Sequence, residues 1–354
     1  MKAREELKLS VIVAVFQRED ELRELLDSLC LQTDTDFELL IVDDGSPEPL
    51  ESITKPYADR LNLHYFYKPN SGSGKTRNYG MAKAKGNYFI FLDSDTIIPP
   101  SYIQTVKAEL AREYTDGFGG PDAADDSFTD LQKAITFSMT SVLTTGGIRG
   151  GKTHVGRFEP RSFNMGISRE VYEKTGGFSE LRAGEDPDLT FRIWKSGFQT
   201  RLFPEAKVYH KRRTSLKKFA KQTHRFGSAR PILNLRHPEH ARITYWFPGV
   251  FLCGLCFSLV MAAFSFPLRE IRIGSCYVSS LFFSLFLMVY VLYFVSLFVL
   301  CVWQYRSVKV GLLSLLTTLV QFSGYGYGFL KSQFYFKILR RTPQQAYPKY
   351  FDYT

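Results

Sequence analysis

With 354 residues the chain is long enough for one large or two smaller domains with a well-buried core. Its formal net charge of +10 is gathered largely in one stretch, and no nucleic-acid motif accompanies that stretch, which excludes nucleic acid as a partner. Five cysteines, four of them in apolar sequence, exclude a disulfide framework.

In chain order, the opening MKAREELKLS has no apolar core long enough for a signal peptide, so the soluble part is expected in the cytoplasm. Leu9 to Phe16 (LSVIVAVF) is a β-branched run suited to a buried parallel strand. Glu19 to Leu31 has helical spacing, with Leu22, Leu25, Leu26 and Leu29 on one side. Phe37–Val42 and Leu61–Tyr67 read as strands, Gly74–Lys85 as a helix, and Asn87–Leu92 as a fourth strand. This alternation predicts an α/β layer around a mostly parallel sheet, with ligands beyond the carboxyl ends of its strands. Ser101 to Gly177 reads as irregular and rich in Gly, Thr and Ser, with a glycine loop at Thr144–Gly151. Glu185–Gly197 reads as a helix and Thr200–His210 as extended.

The basic run lies between Lys207 and Arg242 and directly precedes apolar sequence, which favours a juxtamembrane segment on the cytoplasmic side. Trp246–Leu268, Tyr277–Trp303 and Val310–Leu330 are each long enough for a bilayer core of about 30 Å. Three crossings would put the basic tail (Lys331, Lys337, Arg340, Arg341, Lys349) on the far side, against the charge bias. The third segment carries Gln321 and the Gly324–Gly328 run, so two crossings plus a re-entrant or protein-packed helix is the alternative. Cys253 and Cys256 have redox or zinc spacing but lie in apolar sequence with no further ligand near them.

Two acidic clusters fall at strand ends. Asp93-Ser94-Asp95 is suited to Mg²⁺ or Mn²⁺, which take oxygen ligands and bridge carboxylates to a diphosphate. Asp43-Asp44-Gly45-Ser46 ends the neighbouring strand, where a carboxylate can accept from a base; the bland reading is an Asp-Gly turn. Lys75, Arg77 and Asn78 open the next helix. Gly72–Thr76 lacks the upstream glycine of a nucleotide-triphosphate loop, having Pro69 at that position. Asp186 and Asp188, after Gly184-Glu185, either cap a helix or supply a general base. His210 is a candidate metal ligand or a surface histidine beside Lys211–Arg213. Gln222–Phe226 either aims Arg225 at a diphosphate or belongs to an interfacial helix.

Five of these runs, in order between residues 9 and 210, resemble glycosyltransferase family 2: SVIVAVFQRED, VDDGS, GSGKTRNYGMAKAKGNYFIFLDSDT, FNMGISREVYEKTGGF and GEDPDLTFRIWKSGF. The resemblance implies a GT-A, Rossmann-like nucleotide-sugar-binding domain over residues 1–235. A basic interfacial segment (207–245), two to three membrane helices (246–330) and a basic tail (331–354) would follow. It implies an inverting transfer from a nucleotide sugar, UDP favoured, to a hydroxyl of a lipid-linked or membrane-proximal glycan. Asp186 would be the base. Val15, Asp43 or Asp44, Arg77 and Asp93 would serve the donor, with Arg225 on the diphosphate. Asp95, with Asp93 and His210, would hold Mg²⁺ or Mn²⁺. Membrane lipids would be partners, and the catalytic domain would sit on the cytoplasmic face of the inner membrane. A processive polysaccharide synthase and an inactive membrane scaffold of the same fold are the alternatives. Phe226 stands where the processive synthases' Gln-x-x-Arg-Trp motif has Trp.

Overall fold

The computed structural model describes residues 6–123, 128–146, 157–210, 214–265 and 278–351, with the side chains of His210 and residues 262–286 outside the description. Gly147–Gly151 and Lys211–Arg213, both singled out in the sequence, lie outside the described residues. The strands are β1 (Leu9–Val15), β2 (Glu38–Asp43), β3 (Asn62–Tyr67), β4 (Tyr88–Asp93), β5 (Thr96–Ile97), β6 (Gly117–Gly119), β7 (Asp122–Ala123), β8 (Asn164–Ser168), β9 (Thr200–Leu202) and β10 (Val208–His210). The helices are α1 (Glu19–Cys30), α2 (Glu51–Thr54), α3 (Ser73–Lys83), α4 (Tyr102–Arg112), α5 (Asp130–Thr140), α6 (Val142–Thr145), α7 (Arg169–Thr175), α8 (Glu185–Lys195), α9 (Leu216–Arg236), α10 (Phe247–Ser265), α11 (Val278–Tyr305), α12 (Val308–Gln333) and α13 (Pro343–Ala346).

Two compact units emerge: residues 1–127, 145–211 and 342–354 form one, and residues 128–144 and 212–341 the other. In the first, seven strands run in the order β3-β2-β1-β4-β8-β6-β9. β3, β2, β1 and β4 are mutually parallel, as expected, while β8 is antiparallel to both β4 and β6. The alternation of side chains along the strands separates two cores. Val11, Val13, Leu39, Ile41, Ile90 and Leu92 pack with α1 and α4 on one face. Ile12, Leu40, Phe89, Phe91, Met165 and Ile167 pack with α3, α7 and α8 on the other. A second, three-stranded sheet β5-β10-β7 brings the backbone of His210 opposite Thr96, the residue after Asp95.

The middle of the chain is more regular than its composition suggests. α4 buries Ile103, Val106 and Leu110 at helical spacing. β8 is a buried strand despite Gly166, because Phe118 occupies the space of a side chain there: an added Cβ would lie 2.1 Å from its ring. Phe118 is itself stacked on Phe203 at 4.5 Å. Gly166→Ala therefore lowers the stability of the first unit by about 1–3 kcal/mol, read as a lower melting temperature.

The second unit is helical, and among the described residues three helical stretches, 243–261, 287–305 and 308–338, are long and apolar enough to cross a membrane. α12 is continuous through the Gly324–Gly328 run. Gly324 and Gly328 are where α9 approaches it, and Gly326 is where α10 does. A Cβ on Gly324 would meet the Thr223 hydroxyl at 2.1 Å, and one on Gly328 the carbonyl of His224 at 2.5 Å. A buried polar seam continues along α12: Ser138 of α5 bonds Thr317 (2.6 Å) and Thr318 (3.2 Å), and Ser332 donates to the Ser228 carbonyl (3.1 Å).

Candidate active site

The parallel strands end their runs at one edge of the sheet, and the candidate residues gather there. Pairing places Val15 beside Asp43 and Ala14 beside Asp93, so the two acidic clusters flank the end of β1. Val15 turns its side chain into the core, while its carbonyl accepts the N–H of Asp44 at 2.8 Å.

Asp43 and Asp44 differ in reach. Asp43 is fully buried; its carboxylate accepts from the amides of Ser46 (2.9 Å) and Leu50 (3.1 Å) and from the Tyr65 hydroxyl (2.8 Å). It fixes the turn after β2. Asp44 accepts from Lys68 Nζ (2.7 Å) and from the amides of Ser71 and Gly72 (both 2.8 Å), and its side chain is 7% exposed. It holds the loop that leads into α3. Of the two, Asp44 is the one with surface left for a ligand.

Arg77 is the hub of the site. Its side chain is 5% exposed and donates to Asp93 (2.7 Å) and to Glu185 (2.9 Å), and its guanidinium lies 5.3 Å from the centre of the Phe178 ring. Burial opposes its charge, but Asp93, Glu185 and Asp186 outweigh it and raise the pKa. Asn78, next to it, clamps Phe178 through two 2.8 Å bonds, one in each direction. The residues preceding α8 are thereby tied to α3.

Glu185 and Asp186 open α8 behind Gly184, whose φ of 82° gives the chain its turn. Glu185 also accepts from Ser73 Oγ (2.9 Å). Burial raises its carboxyl above the ordinary range; Arg77 opposes this, and Asp186 adds to it. Oδ1 of Asp186 and Oε2 of Glu185 are buried and have no hydrogen-bond partner among the described residues. Asp188 is spoken for: it is buried and paired with Arg192 Nε at 3.0 Å.

Asp93 ends β4, and Asp95 follows two residues on, before β5. Asp95 is paired with Arg18, which stands in the loop after β1. No acidic or glycine motif marks Arg18 in the sequence; its signal is its place just beyond the end of the strand that pairs with β4. Among the described residues no group of three or more His, Cys, Asp or Glu gathers to hold a metal ion, and what the site offers a divalent cation is the Asp93–Asp95 turn. Two carboxylates share one turn, both are held by guanidinium groups, and their oxygens are the donor type that Mg²⁺ and Mn²⁺ take. His210 approaches this turn through its backbone, and its side chain lies outside the described atoms. Arg225 belongs to the second unit, exposed on α9, where its neighbours Thr223 and Phe226 pack inward.

A family described as Glycosyl transferase family 2 matches residues 10–176. A protein of Rickettsia felis named as an uncharacterized glycosyltransferase is 38% identical over 191 residues, 52% of this chain and 31% of that protein. The chondroitin synthase of Escherichia coli is 26% identical over 235 residues, 57% of this chain and 34% of the synthase. This chain thus spans about a third of the length of these curated relatives. Among solved structures, the mannosyltransferase PcManGT from Pyrobaculum calidifontis, in complex with GDP-Man and Mn²⁺, has a TM-score of 0.52. The match covers 92% of this chain and 86% of that one at 14% identity, which is a likeness of fold. The first unit has the GT-A fold.

Proposed function

We propose, for a chain whose residues 10–176 belong to glycosyltransferase family 2, that it moves a sugar from a nucleoside-diphosphate donor to a hydroxyl of a lipid-linked or membrane-proximal glycan. A UDP-sugar is the favoured donor, and the anomeric centre is inverted. One observation carries this reading: Arg77 joins Asp93 at the end of β4 to Glu185, the neighbour of Asp186. Donor-side and acceptor-side carboxylates that are distant in sequence meet on one buried cation.

In the proposed reaction Asp186 takes the proton of the acceptor hydroxyl as its oxygen bonds to the anomeric carbon. The bond from that carbon to the diphosphate breaks in the same displacement, which inverts the centre. Asp44 is the proposed contact to the base, because Asp43 is fully buried whereas the Asp44 side chain keeps 7% of its surface exposed. Asp95, with Asp93 and His210, would hold Mg²⁺ or Mn²⁺, and such an ion offsets the charge of a departing diphosphate. The pairing with PcManGT, whose structure contains GDP-Man and Mn²⁺, supports a nucleotide-sugar donor and a divalent ion. Arg225 is assigned to the leaving diphosphate on the resemblance of Gln222–Phe226 alone. The apolar helices anchor the enzyme in the inner membrane, with the first unit on the cytoplasmic face.

Calorimetry tests the donor side. The purified protein binds UDP in a Mn²⁺-dependent manner, and Asp95→Asn weakens that binding at least about tenfold. UDP binding that is equal in both proteins, with and without Mn²⁺, would remove Asp95 from the metal site.

A further inference from the structure

The chain leaves the first unit at Lys211 and rejoins it at Thr342. The return is made by hydrogen bonding: the backbone N–H of Arg182 donates to the carbonyl of Tyr350 at 2.9 Å. The Tyr350 ring is stacked on Tyr347 at 5.1 Å. Residues bonded to each other lie on one side of a bilayer. On the reading that this chain is membrane-anchored, the number of crossings between 211 and 342 is therefore even, yet three helices among the described residues qualify by length and apolarity.

α12 is the helix that does not fit a crossing. Its stretch from Gly324 to Ser332 is packed on α9. α9 carries Lys217, Lys218, Lys221, Arg225, Arg230 and Arg236, too many charges for hydrocarbon. If that stretch lies outside the hydrocarbon, residues 308–323 remain, which reach about 24 Å against the roughly 30 Å needed. The other half of α12 is held by α5, through Lys309–Asp130 (2.8 Å) and the Ser138–Thr317 bond (2.6 Å). α5 has 11 residues, about half a crossing, and the chain on either side of it belongs to the first unit. α10 and α11 instead present apolar flanks, where Val250, Val260, Met288, Leu292 and Val299 face outward.

We infer that the chain crosses the bilayer twice, through α10 and α11. α12 instead lies in the interface on the side of the first unit, seated with α9 on anionic lipid headgroups. The exposed face of α12 suits that seat. Val308, Leu312, Leu316 and Tyr327 form an apolar row that Phe334 and Ile338 continue, with Lys331, Lys337, Arg340 and Arg341 close to its end. The far side then receives residues 266–277, with two basic residues, Arg269 and Arg272, and the basic tail stays on the near side.

Epitope tags ahead of Met1, between Glu270 and Ile271, and after Thr354 test this in the full-length protein in sealed vesicles. Protease and antibody access should find the first and third tags on one side and the second on the other. A third tag opposite the first means three crossings and overturns the inference alone. All three tags on one side overturn the membrane-spanning reading together with it. Nitroxides at 312, 316 and 327 should sit about 5–10 Å deep in anionic vesicles, with one at 295 deeper. A label at 316 as deep as the one at 295 overturns the interfacial placement. Water-exposed labels with mutual broadening overturn the lipid seat in favour of a second copy of the chain.

Discussion

Asp186→Asn lowers the rate of sugar transfer by about 10²–10⁴-fold while leaving donor binding close to that of the parent protein. The substitution keeps the shape of the side chain and removes its ability to take a proton. Asp186 sits in the first turn of α8, where the helix N-terminus favours a negative charge, and its Oδ1 is buried without a hydrogen-bond partner among the described residues. An acceptor hydroxyl would supply the missing donor. The neighbouring acids are poor substitutes: Glu185 is held by Arg77 and Ser73, and Asp188 by Arg192. The effect is therefore expected in kcat, measured with saturating donor. A variant that keeps the parental rate would move the base elsewhere.

Arg77→Met destabilises the first unit by about 3–5 kcal/mol, because it strips a buried cation from two carboxylates at once. The sign of its pH dependence follows from Glu185. Burial and Asp186 raise that carboxyl, and only Arg77 and Ser73 oppose them. Without Arg77 the group rises further above its unfolded value. Its contribution is then fully present below the unfolded pKa and is lost as the pH rises through the folded one. The gap in melting temperature between Arg77→Met and the parent should narrow as pH falls from neutral toward the ordinary glutamate range. A gap that widens on acidification, or no loss of stability at neutral pH, would show that the three-residue bridge does not hold the site together.

Much of the first unit was legible because its strands are short, apolar and β-branched. Leu9–Val15 and Glu38–Asp43 match runs that strict burial on both faces demands. α4 and β8 were hidden by the opposite cause. α4 has no Gly and a helical spacing at Ile103, Val106 and Leu110, but it opens a long stretch whose overall composition reads as irregular, and the strand character of Asn164–Ser168 depends on Phe118 filling the place of a side chain at Gly166, a distant contact no local pattern reveals. The extended reading of Thr200–His210 resolved into β9 and β10, which belong to different sheets.

The carboxylates of the site were visible as motifs at strand ends, but their partners were not. Arg18 became significant only through the pairing of β1 with β4, which sets the loop after one strand beside the acidic turn after the other. The separation of Asp43 from Asp44 likewise needed coordinates, since two adjacent identical residues differ only in what encloses them. In the second unit, the glycine run, which sequence alone leaves as part of a crossing or of a re-entrant or protein-packed helix, is a contact surface of an unbroken helix.

The most direct measurement is release of nucleoside diphosphate by the purified full-length protein, incubated with Mn²⁺, membrane lipid extract and each common nucleotide sugar in turn. The account predicts release from one donor, a UDP-sugar, dependent on the extract and absent in Asp186→Asn. Release from no donor above the Asp186→Asn background would contradict it.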